Sequence, residues 1–206
     1  MAATTTSPPT DPLPTTTPAP IVTTPRILIR PWSQADAEDM HKAANNLKVA
    51  RYMTLRFPSP HTLASAEEWI TLTTTSAATV GKHFAICLQP EGTPVGGIGL
   101  TPPPGNGVEP RTRELGYWLG EAAWGQGLAT EAVTAFTRWA FSALGPEEGL
   151  RRIDAWVFGG NEASGRVLTK AGFVLEGRRR KAGFKFGEEF DIVLYGLLRE
   201  ELPLPN

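Results

Sequence analysis

Apolar and polar positions alternate from the start of the folded region. Arg26-Ile27-Leu28-Ile29-Arg30 has a two-residue period and predicts a first strand. Ser33-Gln34-Ala35-Asp36 follows, an N-cap residue with an acid three positions on, and predicts a helix to about Asn45. Ala66 to Thr74 reads as a second helix, with Trp69 on its apolar side and Ser65 as its cap. His83 to Leu88 and Pro94 to Leu100 read as strands joined by a hairpin at Pro90-Glu91-Gly92-Thr93. A surface loop, Pro102 to Gly107, leads to a strand over Arg113 to Leu119. The period then changes. Leu128, Ala132, Val133, Phe136, Trp139, Ala140 and Ala143 fall on one face of a long helix, expected to stop at Gly145-Pro146. Arg152 to Val157 reads as a strand and Ala163 to Ala171 as a short helix ended by Gly172. Phe173 to Glu176 and Phe190 to Leu197 read as a final strand pair. The order β-α-α-β-β-β-α-β-α-β-β predicts a mixed α/β sheet with a central helix packed on it.

Composition sets the boundaries of that domain. Residues 1–25 are mostly Thr, Pro and Ala, too polar to offset the entropy of ordering, so a disordered tail is expected there. The domain is expected over residues 26–201, with a short tail over 202–206. The chain of 206 residues is 41% hydrophobic and 20% charged, enough for one globular domain with a real core. Its net charge of −1 provides no global field for nucleic acid or an anionic membrane. The basic run Arg178 to Lys181 reads as a solvated strand end or turn, with an anion contact as its sharper alternative. No apolar run is long enough for a membrane helix. Cys87 is the only cysteine and sits in an apolar run, which suits a core thiol in a cytoplasmic chain. The three histidines have no metal-ligand spacing, so no metal is expected.

Chemistry concentrates after two strands. Trp124-Gly125-Gln126-Gly127-Leu128-Ala129-Thr130 joins a strand to a helix, and glycines at a helix start leave amide N–H groups free to bind an anion. It is neither a P-loop nor a good dinucleotide fingerprint. Asn161-Glu162-Ala163-Ser164 follows the next strand, with Asn161 suited to an N-cap and Ser164 on the same side of the helix. If the two strands are neighbours and splay, both helix starts face one cleft.

Together, Glu114-Leu115-Gly116-Tyr117-Trp118-Leu119, the turn from Trp124 to Ala129, and Asn161-x-x-Ser164 with Gly172-Phe173 resemble the GNAT superfamily of acetyl-CoA-dependent N-acetyltransferases. The pattern is similar to the branch typified by the ribosomal-protein acetyltransferases RimJ and RimL, and Arg26 to Pro31 fits that branch too. The resemblance implies a mostly antiparallel central sheet flanked by helices, with splayed strands forming an acyl-CoA cleft. It implies that Gln126, Gly127, Leu128, Ala129 and Thr130 hold the CoA pyrophosphate. It also implies that Trp118, Leu119 and Gly120 meet the pantetheine arm and that Asn161 and Ser164 contact the cofactor. The implied reaction is direct attack of a primary amine on the thioester, with a protein N-terminus or a small amine as acceptor. A non-catalytic acyl-CoA-binding protein on the same scaffold is the alternative.

Catalytic roles divide as follows. Glu114 is the base candidate, and alternation puts it on one sheet face with Gly116 and Trp118, opposite Tyr117 and Leu119. The Leu119 amide is the oxyanion donor candidate. Many GNAT relatives carry a tyrosine acid seven residues after the asparagine, where this chain has Leu168. Ser164 is therefore the candidate hydrogen-bond donor to the leaving thiolate, and Tyr195 is a further candidate that could reach the cleft. Tyr52, Trp69, Phe184 and Phe186 are candidate acceptor-side aromatics. Neither a monomer nor a homodimer is excluded.

Overall fold

The computed structural model describes residues 17–76, 82–103 and 107–202. Eight strands form one sheet in the order β1-β2-β3-β4-β5-β6-β8-β7. These are β1 (Val22–Thr23), β2 (Ile27–Pro31), β3 (His83–Leu88), β4 (Pro94–Thr101), β5 (Thr112–Leu119), β6 (Arg152–Phe158), β7 (Val174–Lys185) and β8 (Glu188–Leu198). Every neighbouring pair is antiparallel except β5 and β6, which run parallel. The helices are α1 (Ala37–Ala44), α2 (Leu47–Ala50), α3 (Leu63–Thr75), α4 (Leu128–Glu148) and α5 (Glu162–Lys170). The expected mixed sheet flanked by helices is the observed one.

Two apolar layers sandwich the sheet. On one face α4 and α5 bury Leu128, Val133, Phe136, Phe141 and Leu168 against Ile29, Ile86, Leu115, Ile153 and Leu197. Phe136, Phe84 and Trp139 pack ring on ring in that layer. On the other face α1 and α3 bury Met40, Ala66 and Ile70 with Trp32, Ala85 and Cys87. Burial pushes the Cys87 thiol up to about 12, so it stays protonated and structural. Ser33 forms the expected capping box with Asp36, whose carboxylate also takes both guanidinium nitrogens of buried Arg30 at 2.7 and 2.8 Å.

Several expectations are corrected. Residues 21–25 are not tail: Val22 and Thr23 pair with Ile29 and Leu28, because Ile21 and Val22 add apolar area to the α4-side layer. Leu202 packs on that layer as well, so the domain does not end at 201. Residues 1–16, 104–106 and 203–206 of the expected tails and loop lie outside the described residues. The α3 cap is Thr62, whose hydroxyl accepts from the Ser65 N–H, and not Ser65 itself. Helix α4 runs through Gly145 and Pro146 to Glu148, since a proline in the last turn removes only one ladder bond; Gly149, at φ 68°, ends it. A short helix, α2, lies in a stretch with no periodic signal. Strands β7 and β8 are far longer than their apolar cores, extended by charged positions. Arg178 to Lys181 lies within β7, where Arg178 pairs with Asp191 and Lys181 with Glu189, each at 3.0 Å.

Candidate active site

Strands β5 and β6 pair only at Thr112–Arg152, Arg113–Ile153 and Glu114–Asp154. Beyond that they diverge into a V in the middle of the sheet. The β5 backbone facing the V follows from its pairing with β4. The Gly120 N–H donates to Val95 O at 2.8 Å, so by antiparallel alternation Gly96–Leu119 is a non-bonded pair. Leu115, Tyr117 and Leu119 therefore turn their N–H and C=O groups away from β4 and into the V. The Leu119 carbonyl accepts the Trp124 indole N–H at 2.7 Å, and the Leu119 N–H faces the opening.

The connection from β5 to α4 begins at one rim of this V. Gly125 and Gly127 have φ of 73° and 77°, in the left-handed region that favours glycine. Gly127 is the N-cap of α4, and no side chain caps it. The Leu128, Ala129 and Thr130 N–H groups thus begin a helix without intrahelical partners, at the positive end of a 21-residue dipole. Side chains hold the turn from outside. Gln126 donates to Ala122 O at 2.9 Å, and Arg26 donates to Gln126 O at 2.8 Å while pairing with Glu131 at 2.5 Å.

Helix α5 starts at the opposite rim. Asn161 caps it, its Oδ1 accepting from the Ser164 N–H at 3.2 Å. The Ser164 hydroxyl meets the Tyr117 hydroxyl at 2.7 Å, a bridge from α5 to β5 across the V. Burial pushes the Tyr117 phenol up to about 12, so it remains a neutral donor.

Residues 26–174 match the family model described as Acetyltransferase (GNAT) domain. The chain belongs to the GNAT acetyltransferase family. It is 32% identical over 184 residues to the uncharacterized N-acetyltransferase YoaA of Bacillus subtilis, spanning 87% of this chain and 97% of that one. The ribosomal-protein-serine acetyltransferase of Escherichia coli is 35% identical over 92 residues, 44% of this chain and 49% of that one. The fold is also that of Mycobacterium smegmatis RimJ solved with a CoA disulfide: TM-score 0.71, 24% identity, 86% of this chain and 84% of that one. GNAT enzymes use acetyl-CoA, and this chain is an acetyl-CoA-dependent N-acetyltransferase.

The residues present fit that co-substrate. An uncapped helix start suits a pyrophosphate, and an unpaired strand edge suits the amides of a pantetheine arm. The edge narrows one expectation. Of Trp118, Leu119 and Gly120, only Leu119 turns its backbone to the V; Trp118 faces Gly97, and the Gly120 N–H is taken by Val95.

Glu114 lies at the apex of the V, on the sheet face away from α4. Burial raises its pKa first, and Asp154 beside it raises it further, against Arg56. Asp154 is raised by burial as well, against its ion pair with Arg152 at 2.6 Å. Tyr195 sits opposite Ala155 and lines a cavity of about 390 Å³ with Asn161 and Gly165. It reaches α5 because Gly165 has no side chain: a Cβ there would stand 2.7 Å from the phenol oxygen.

Tyr52 and Phe186 line a cavity of about 370 Å³ between α2 and the β7–β8 turn, whereas Trp69 packs on His83 and Phe184 is exposed. Lys185 holds that turn in place, donating to Ala50 O at 2.7 Å and Met53 O at 2.6 Å.

Two functional residues were missed from sequence. Arg26 was read as a strand start, and Tyr117 was given a sheet face and no role. Alternation already set Tyr117 opposite Glu114, but only the V places it against Ser164. Among the described residues no group of three or more His, Cys, Asp or Glu is placed to hold a metal, and no helix is long and apolar enough to cross a membrane.

Proposed function

We propose that this enzyme acetylates a primary α-amine, with Glu114 drawing the proton from the amine and Ser164 supplying one to the departing sulfur. The observation that carries the reading is the Tyr117–Ser164 hydroxyl pair spanning the V at 2.7 Å, on the strand that begins near Glu114 and leads into the uncapped α4 start. Bound acetyl-CoA supplies an activated acetyl carbonyl and a thiol leaving group. The N–H groups of Gly127 to Thr130 hold its pyrophosphate. The Leu119 N–H, directed into the V, donates to the carbonyl oxygen as negative charge grows there. Ser164 passes its hydroxyl proton toward the sulfur as Tyr117 passes its own to Ser164, and the proton that Glu114 took from the amine returns through solvent to Tyr117, so that amine and thioester become amide and thiol. Tyr195, beside Gly165, backs that hydroxyl pair, and Asn161 fixes the first turn that carries Ser164.

Glu114, a half-buried carboxylate, suits an α-amine as base. Such an amine has a pKa near 7.7–8.0 and is partly neutral at physiological pH, unlike a lysine near 10.4. The similarity to a ribosomal-protein-serine acetyltransferase supports a peptide N-terminus as acceptor. The test is CoA release with a panel of Ser- and Ala-initiated peptides, lysine-containing peptides with blocked N-termini, and small alkylamines. Turnover on the free N-termini is expected. Tight acetyl-CoA binding with no transfer to any member would overturn the reading.

A further inference from the structure

Gly116 is the exposed centre of a central strand. It lies in β5, with β4 on one side and the V on the other, yet an added Cβ would meet nothing within 4 Å. The β4 glycines beside it differ. A Cβ on Gly97 would stand 2.8 Å from the Trp118 indole nitrogen, one on Gly96 would overlap the Trp118 carbonyl, and one on Gly99 the His83 ring. Close packing therefore requires glycine at 96, 97 and 99 and does not require it at 116. Glycine inside a strand weakens it, and where no bulge, bend or packed neighbour calls for it, it suits a close approach of a ligand to the backbone.

What surrounds the gap gives the molecule its chemistry. Glu114 and Trp118 flank Gly116 on the same sheet face, away from α4. The Asp154 side chain is on that face too, beside Glu114 where the V closes. Trp118 is braced edge-on by Phe57 at 5.6 Å. His83, at the neighbouring Gly99, is pushed down to about 4 by burial and so carries no charge near neutrality. The positive group set against Glu114 is exposed Arg56, while Arg152 is engaged with Asp154 and Glu176. Two carboxylates and an aromatic wall around an open floor suit a cationic amine on a slender body.

We propose that the acceptor enters across Gly116, its ammonium drawn to Glu114 and Asp154 and its first residue lying in the space a side chain at 116 would fill. This rests on the acetyl-transfer reading above. It adds that the missing side chain at 116 sets how bulky the acceptor may be.

The experiment compares Gly116→Ala and Gly116→Val with wild type, using Ser-initiated peptides and n-butylamine as acceptors and calorimetry for CoA. An added Cβ meets nothing within 4 Å, and valine suits a strand. Both variants are expected to fold and to hold CoA within about twofold of wild type, while the peptide KM rises about tenfold or more in Gly116→Val and less in Gly116→Ala. n-Butylamine is expected to suffer less than the peptide. Unchanged peptide kinetics in Gly116→Val would overturn the inference and leave acetyl transfer standing. So would parallel losses of CoA affinity and peptide turnover in the milder Gly116→Ala. Wild-type enzyme that transfers to no amine would overturn the acetyl-transfer reading and this inference with it.

Discussion

The β5–α4 and β6–α5 units are the same device, a strand running into a turn and a helix, set on the two rims of one V. They differ in how the helix begins. Helix α4 starts at Gly127 with no side chain over its first N–H groups. Helix α5 starts at Asn161, whose carboxamide occupies the Ser164 N–H. An N-cap stabilises a helix by satisfying the groups an anion would use. The chain thus leaves the long helix open, where α4's extensive burial in the core tolerates the loss, and closes the nine-residue one. On the reading proposed above, one rim binds charge and the other fixes a hydroxyl.

The sharpest way to break this comparison is at Gly127. A Gly127→Glu side chain sets a carboxylate against the pyrophosphate. Like charges brought together cost several kcal/mol, so CoA affinity should fall about a thousandfold. Gly127→Ala controls for the left-handed backbone strain of about 1–2 kcal/mol. Calorimetry on folded Gly127→Glu that returns wild-type affinity would move the anion site off α4.

The next effect belongs to the other rim. Ser164→Ala should lower kcat about a hundredfold, within the range of general acid catalysis, and leave CoA affinity nearly unchanged. A rate equal to wild type would take Ser164 out of proton transfer.

Glu114 belongs to neither helix start, and a pH profile separates it from both. Its carboxyl is held above the usual range, and only the ionised form accepts a proton, so kcat/KM should rise with pH through that raised value. Glu114→Gln should remove this limb and leave the Ser164→Ala profile as its contrast. The stability effect has the opposite sense. With a raised native pKa the folded state holds the proton longer, so stability falls as pH climbs from the unfolded to the folded pKa. Glu114→Gln should flatten that decline in denaturant titrations. A decline of wild-type steepness in the variant would place the buried charge elsewhere.

Sequence pattern carried the fold well where periodicity was strong. The α4 stripe, the Asn161 cap and the Ser33–Asp36 box were all legible because each is local. What was not legible depends on tertiary placement. Tyr117 meets Ser164 only because β5 and β6 part after Glu114. The β7 and β8 extensions are held by pairing and cross-strand charge rather than by apolar alternation. Backbone direction is equally hidden. That Leu119 and not Trp118 faces the V depends on which β4–β5 pairs are hydrogen-bonded, and strand propensity says nothing of that.

Asn161→Ala tests what the closed rim gains. Loss of the cap should cost about 1 kcal/mol in denaturant unfolding and lower kcat through a displaced Ser164. An unchanged midpoint with a full kcat loss would assign Asn161 to the ligand alone.

The smallest expected effect is at Arg26, which together with Thr24 ties β2's approach to the open rim. It grips the Gln126 carbonyl and Glu131 from a half-exposed position, side-chain exposure 52%, where an ion pair is worth at most about 1 kcal/mol. Arg26→Ala should therefore leave the unfolding midpoint almost unmoved and weaken CoA about two- to fivefold, by letting the turn relax before binding. Arg26→Lys decides between geometry and charge. A lysine keeps the charge but cannot grip the carbonyl and the carboxylate as one planar fork. If the fork sets the turn, lysine binds CoA no better than alanine. If lysine restores full affinity, Arg26 acts on the pyrophosphate by charge, and the open rim is a charged site as well as a backbone one.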